Sequence, residues 1–202
     1  MDFTERRLSG ETIFSGHVFS VELDRVTLPD GREAPREVVR HPGGVGVLAI
    51  DGDGIVILVR QYRYASGKTL LEIPAGKLEP GEDPQSAGLR ELAEETGYRA
   101  SRVSPLGKII PTGAYNSELI YLYRAEGLTT GETNPDDGEF VEVVRMPLGE
   151  AVKMALSGEI EDAKTVVALL KVSAEQSGDK RKDDTQAPQS RSEALSGRIT
   201  EA

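Results

Sequence analysis

Glu91, Glu94 and Glu95 follow closely on Glu82. On a helix the three later acids fall within one arc of about 100°, while Leu89, Leu92 and Ala93 point roughly the other way. Like charges at positions 91 and 95 cost a helix about 0.2–0.5 kcal/mol, and a bound cation reverses that sign. Mg²⁺ favours carboxylate oxygens and keeps waters for itself and for phosphate ligands. Three acids on one face, with Glu82 just ahead, form a platform for a hard cation. An acidic helix face is more often a solvated one, and Arg90, four residues before Glu94, supplies an ordinary ion pair. The loop Pro74-Ala75-Gly76-Lys77-Leu78-Glu79-Pro80-Gly81-Glu82 favours the cation. Gly76 lets the backbone approach a ligand closely, so loop and helix together can hold a metal–diphosphate unit.

The elements that place these residues are legible around them. Asp83 offers an N-cap oxygen, Pro84 suits the first helical position and Gly97 suits the residue past the end. The spacing predicts a helix over 84–96. Before it, strands are expected at Thr12–Phe14, 17–28, 36–41, 45–50, 55–59 and 69–73, with turns at Pro29-Asp30-Gly31 and Asp51-Gly52-Asp53-Gly54. After it come strands near 103–110, 119–126 and 139–146, then helices near 148–156 and 162–172. Several strands with helices inserted singly read as an α+β fold. The organisation is an N-terminal strand region (1–41), a catalytic domain (42–172) and a polar tail (173–202) too poor in large apolar residues to offset its ordering entropy.

Composition sets the outer limits. The 202 residues carry a formal net charge of −10, with 38% hydrophobic and 29% charged residues. No strong Lys/Arg run is present, which argues against nucleic acid and against an anionic membrane surface as partners. Cysteine is absent, which removes thiol nucleophiles, zinc–thiolate sites and disulfides, and fits a reducing compartment. With no signal-like N-terminus and no apolar run of membrane-spanning length, the expected location is the cytoplasm.

Gly76, five residues, Glu82, seven residues, then Arg90-Glu91-Leu92-Ala93-Glu94-Glu95-Thr96-Gly97 resembles the Nudix box of the Nudix hydrolases. All its strictly fixed positions are filled; the final, usually aliphatic one is Tyr98. The resemblance implies an α/β/α sandwich with a mixed sheet, dependence on Mg²⁺ or Mn²⁺, and attack of water on one phosphorus of a diphosphate. It makes Glu91 and Glu95 the principal metal ligands, with Glu94 close by and the carbonyl of Ala75 a further ligand. Arg90 is expected to orient the glutamates. Glu82 either ligates indirectly or braces the loop. A carboxylate outside the box takes the water's proton in such enzymes; Glu139, then Asp137, are the candidates, the alternative being a solvated acidic turn.

The likeness extends over about residues 10–172 and is strongest to bacterial ADP-ribose pyrophosphatases, carried by Arg36-Glu37, Gln61-Tyr62-Arg63, Glu72-Ile73-Pro74-Ala75-Gly76 and Asp162-Ala163-Lys164-Thr165. It implies a homodimer whose N-terminal sheets are exchanged, and hydrolysis of ADP-ribose to AMP and ribose 5-phosphate. Arg36 and Arg63 would then grip phosphates or the terminal ribose, Glu37 or Glu72 would accept from a ribose or the adenine amino group, and Phe19 would stack on adenine. Interface salt bridges and core packing are the plain alternatives. One departure concerns the turn after the box, where Gly113 in Ile110-Pro111-Thr112-Gly113-Ala114-Tyr115-Asn116-Ser117-Glu118 stands where those enzymes carry a marker proline. Another nucleoside diphosphate sugar, such as GDP-mannose, is therefore the second substrate. A hydrolase of damaged nucleoside triphosphates and a non-catalytic nucleotide sensor are weaker rivals.

Overall fold

A computed structural model describes residues 1–134, 138 and 140–185, with backbone only from 178 onward. The N-terminal part is an antiparallel meander of β1 (Arg6–Ser15), β2 (Ser20–Thr27) and β3 (Glu33–Arg40). The β2–β3 turn closes as its residues predict: Gly31 N–H donates to Leu28 O at 2.9 Å and Asp30 Oδ1 accepts from Arg32 N–H at 3.1 Å. Asp24, at 3% exposure, accepts from Arg7 Nε at 2.7 Å and from Arg40 Nη2 at 3.1 Å. This pins the three strands together through one carboxylate.

The second sheet holds β4 (Gly44–Ile50), β5 (Ile55–Arg63), β6 (Lys68–Glu72), β7 (Ala75–Lys77), β8 (Tyr98–Ile109), β9 (Ile120–Thr130) and β10 (Glu142–Pro147). Its order is β10-β5-β4-β9-β8, with β6 beside β5 and β7 beside β4. β4 and β9 run parallel and the other pairs antiparallel, so the sheet is mixed. Every residue of β4 is buried, the pattern of a strand covered on both faces. Its side chains alternate: Val45, Val47 and Ala49 join one core with Ala87 and Leu92 of α1 (Pro84–Thr96), while Leu48 and Ile50 join the other. That second core takes Leu148 and Ala151 from α2 (Leu148–Ser157) and Ala168, Leu169 and Val172 from α3 (Ala163–Thr185). The result is the expected α/β/α sandwich.

α1 has the expected ends. Asp83 Oδ2 accepts the Ser86 N–H at 2.9 Å, and Gly97, at φ 71°, donates to Ala93 O at 2.9 Å. The helix also lies close on β4, because a Cβ at Gly88 would sit 2.8 Å from Val47 Cγ2. Burying Leu92 completely contributes about 2 kcal/mol to holding it there.

Several features differ from the sequence reading: β1 runs from Arg6 and β8 from Tyr98, both earlier than expected. Residues 75–77, expected as loop, form β7, because Ala75 and Gly76 pair with Gly46 and Val45 of β4. α3 continues to Thr185 rather than giving way at Ser173. The polar residues that follow Val172 include good helix formers such as Ala174, Glu175 and Gln176, which extend a helix already nucleated by its packed first half. Among the described residues, no helix is long and apolar enough to cross a membrane.

Candidate active site

The box residues meet where the N-terminal half of β7 faces the middle of α1. Glu95 is only 5% exposed, and its Oε2 accepts the Ala75 N–H at 3.0 Å. Gly76 lies directly against the Glu91 carboxylate, and a Cβ at that position would overlap it. Gly76 has no positive φ; space, not backbone conformation, is what demands glycine there. Short strand and helix therefore place two acids of the stripe against the same stretch of main chain.

Arg90 organises the rest. Its Nη1 donates to Glu91 Oε1 at 2.8 Å and to Glu94 Oε2 at 2.9 Å, while Nε and Nη2 reach the two oxygens of Glu82 at 3.0 and 3.2 Å. The guanidinium is shifted further upward from its already high range, first by its bond to Glu82 and against a smaller desolvation penalty. Glu82 in turn is held below the usual carboxylate range by Arg90 and by the Glu79 N–H, which donates to it at 3.1 Å. Of the two roles left open for Glu82, bracing the loop is the one this geometry supplies.

A cavity of about 190 Å³ opens beside β7, lined by Ala75, Gly76, Lys77, Arg63, Lys164 and residues at the start of β4. Two of its lining residues, Arg63 and Lys164, share a buried carboxylate. Glu72, at 1% exposure, accepts from Arg63 Nε and Nη2, both at 2.8 Å, and its Oε2 also accepts from Lys164 Nζ. Burial pushes the Glu72 carboxyl up, but the two cations outweigh it and hold the group below the usual range. Lys164 Nζ also donates to Asp162 Oδ1 at 2.9 Å. Asp162 Oδ2 caps α3 by accepting the Thr165 N–H at 3.0 Å, and Thr165 Oγ1 accepts the Ile73 N–H at 2.8 Å.

The expected substrate residues thus divide. Arg63 and Gly76 line the cavity. Glu72 is not among the lining residues; its two oxygens accept from Arg63 and Lys164. Arg36, Glu37 and Phe19 lie on or beside the N-terminal sheet and do not line this cavity. Arg36 pairs with Glu5, Glu37 is exposed, and Phe19, 40% exposed, meets Phe14 at a ring separation of 5.8 Å. Glu139 and Asp137 fall outside the described residues. Gly113 shows no positive φ, so its replacement of a proline is not forced by a left-handed backbone.

Lys164, His41 and Glu118 line the cavity but carry no role in the sequence reading. The run Asp162-Ala163-Lys164-Thr165 signals a capped helix start; nothing local shows that its lysine meets a glutamate 92 residues away. His41 Nδ1 accepts the Gly43 N–H at 3.0 Å and lies 3.8 Å from Glu118 Oε1. Main-chain bonds from Val39 N–H to Tyr115 O (2.8 Å) and from Ser117 N–H to Val39 O (2.9 Å) tie β3 to the loop that carries Glu118.

The donors of the acidic cluster are all oxygen: the carboxylates of Glu91, Glu94 and Glu95 and the main-chain carbonyl of Ala75. That set fits Mg²⁺ or Mn²⁺ and does not fit soft-metal chemistry. Among the described residues, no three acids converge on one ion position; Arg90 draws Glu91 and Glu94, and the Ala75 N–H holds Glu95. Three carboxylates around one guanidinium, Glu82, Glu91 and Glu94, leave the cluster with excess negative charge, which a divalent cation would compensate.

Residues 40–169 match the profile of the NUDIX domain. The chain belongs to the Nudix family. Residues 5–39 match the N-terminal domain of nucleoside diphosphate sugar hydrolases, so the β1–β3 meander has a family counterpart of its own. The Nudix chain is 43% identical over 169 residues to the methanol dehydrogenase activator of Bacillus methanolicus, covering 83% of this chain and 91% of that protein. It is 41% identical over 167 residues to the ADP-ribose pyrophosphatase of Bacillus subtilis strain 168, covering 82% and 90%. A crystal structure of an ADP compounds hydrolase superposes with a TM-score of 0.77 at 26% identity, covering 90% of this chain and 99% of that one. With the whole box in place, the chain is a Nudix pyrophosphohydrolase.

Proposed function

We propose that this Nudix enzyme hydrolyses the pyrophosphate of ADP-ribose, giving AMP and ribose 5-phosphate. The observation that supports the reading is a cavity lined by the cations Arg63 and Lys164 and by Ala75 and Gly76, the main-chain stretch against which the Glu91 and Glu95 carboxylates pack. A diphosphate needs both. Bound Mg²⁺ or Mn²⁺ supplies polarisation of phosphoryl oxygens and a water of lowered pKa. The chain's own residues do the positioning. Arg90 holds the glutamate side chains in place, and Arg63 presents a planar guanidinium suited to phosphate oxygens. Glu139, or failing that Asp137, takes the proton as water oxygen bonds to phosphorus and the bridging oxygen leaves.

The N-terminal sheet, residues 1–41, is assigned to a homodimer in which Arg36, Glu37 and Phe19 serve the other subunit's cavity. Support comes from the exposure of Phe14 (52%), Phe19 (40%) and Leu23 (37%), and from a β1 exposed along its whole length; apolar residues gathered on such a surface mark an interface. The composition fits a cytoplasmic enzyme that acts on a small nucleotide sugar and uses neither nucleic acid nor membrane.

Incubation with Mg²⁺ and a panel of ADP-ribose, GDP-mannose and nucleoside triphosphates tests the substrate. Release of AMP and ribose 5-phosphate from ADP-ribose as the fastest reaction is expected; faster turnover of GDP-mannose or a triphosphate would replace it. Mass measurement in solution is expected to give two subunits, and a single-subunit mass would sink the exchanged-sheet assignment.

A further inference from the structure

We propose that His41 is a positioning residue for the stretch Ala75–Gly76 of the metal site, acting through Gly43. The inference deepens the pyrophosphohydrolase reading and rests on it. His41 stands where the N-terminal sheet passes into β4, in the run His41-Pro42-Gly43-Gly44. Its main-chain N–H donates to Ser117 Oγ at 3.0 Å, and its Nδ1 accepts the Gly43 N–H at 3.0 Å. A ring nitrogen that accepts carries no proton, so the ring's hydrogen is on Nε2. Glu118 Oε1, 3.8 Å from the same nitrogen, is too far for a hydrogen bond. Gly43 is the partner of this ring.

The turn depends on that acceptor. Pro42 confines His41 to extended backbone and has no N–H of its own. Gly43 follows at φ 99°, and a Cβ there would sit 3.0 Å from Leu119 O, so a left-handed glycine makes the bend. Gly43 is buried, and a buried donor that loses its acceptor is costly. What the turn carries is β7. That strand is three residues long and is bracketed by two main-chain bonds, Val47 N–H to Pro74 O at 2.9 Å and Leu78 N–H to Gly43 O at 3.1 Å. Val47 is fixed in the core at 1% exposure, whereas Gly43 is fixed by the turn. Between the two bonds lie Ala75, whose N–H meets Glu95 and whose carbonyl is the proposed metal ligand, and Gly76, packed against Glu91. A fault at position 41 therefore reaches the acids, and not only the stability of the bend.

The test uses the full chain and two probes. Mn²⁺ affinity is measured by electron paramagnetic resonance, and ADP-ribose hydrolysis by steady-state kinetics, for wild type, His41→Leu and His41→Asn, each below its melting temperature. Asparagine carries an oxygen where Nδ1 stands and can take the Gly43 N–H; leucine cannot. Misplacing the Ala75 stretch in His41→Leu should weaken Mn²⁺ binding about tenfold and lower kcat by about tenfold to a hundredfold, with KM for ADP-ribose less affected. His41→Asn should recover most of both. Wild-type Mn²⁺ affinity and kcat in a folded His41→Leu, with only the melting temperature lowered, would overturn the proposal. Should His41→Leu fail to fold, His41→Gln takes its place. Its oxygen lies one methylene further out, so its Mn²⁺ affinity should lag behind that of His41→Asn, and equality of the two refutes the role. A protein whose Mn²⁺ affinity follows position 41 in this way but which leaves ADP-ribose intact would refute the substrate and leave His41 in place.

Discussion

Gly76 and Glu91 are packed so closely that the carboxylate occupies the space a side chain at position 76 would need. The glycine adopts no left-handed conformation. Its requirement comes from the acid across from it, because a side chain at position 76 and the Glu91 carboxylate cannot share that space.

Gly76→Ala should therefore leave the circular dichroism spectrum unchanged and displace Glu91. Misplacing a catalytic group by about 1 Å costs on the order of a hundredfold in rate. A kcat for ADP-ribose lowered by that order, with a raised Mg²⁺ requirement, is the expected outcome. Unchanged kinetics would mean that Glu91 is not needed where it stands.

Glu72→Gln removes the anchor of Arg63 and Lys164 and leaves the two cations facing each other. Breaking a buried ion pair is strongly destabilising, and the half-exposed Arg63 moderates it, so about 2–3 kcal/mol is expected in urea unfolding. Glu72 is held below its ordinary pKa, so the stability it contributes is complete above the ordinary glutamate range and is lost as pH falls through the lowered value. The gap between wild type and Glu72→Gln should accordingly narrow on acidification. A gap that widens in acid would contradict the ion-pair assignment.

Thr165→Val keeps the shape of a side chain with 0% exposure and deletes the acceptor for the Ile73 N–H. A buried donor left without a partner costs about 1–3 kcal/mol, or roughly 2–10 °C in melting temperature. The loss should be visible by calorimetry. An unaltered melting temperature would show that this bond does not join α3 to the β6–β7 connection.

What the sequence shows and what it conceals divide along contact distance. α1 is readable to its ends because Asp83, Pro84 and Gly97 act within their own helix. β4 and β5 declare themselves through unbroken apolar runs. β7 stays hidden because its pairing with Gly44, Val45 and Gly46 is set by the fold, not by three residues of propensity. The ion pairs of Glu72 with Arg63 and Lys164 are not legible in the sequence, because Lys164 comes from a helix far along the chain. Lys164 is equally silent, since its partner lies far along the chain. Arg36, Glu37 and Phe19 are named by the family resemblance, and their places on or beside the N-terminal sheet leave them outside this cavity.

The most direct measurement is ADP-ribose hydrolysis by wild type and Glu95→Gln across a Mg²⁺ titration. Glu95 accepts the Ala75 N–H, and glutamine keeps its shape while removing the charge that a cation would meet. The wild type should release AMP and ribose 5-phosphate only with the metal, and the variant should lose at least about a hundredfold in turnover with its fold intact. Equal turnover by the two proteins, or hydrolysis that ignores the metal, would contradict the account.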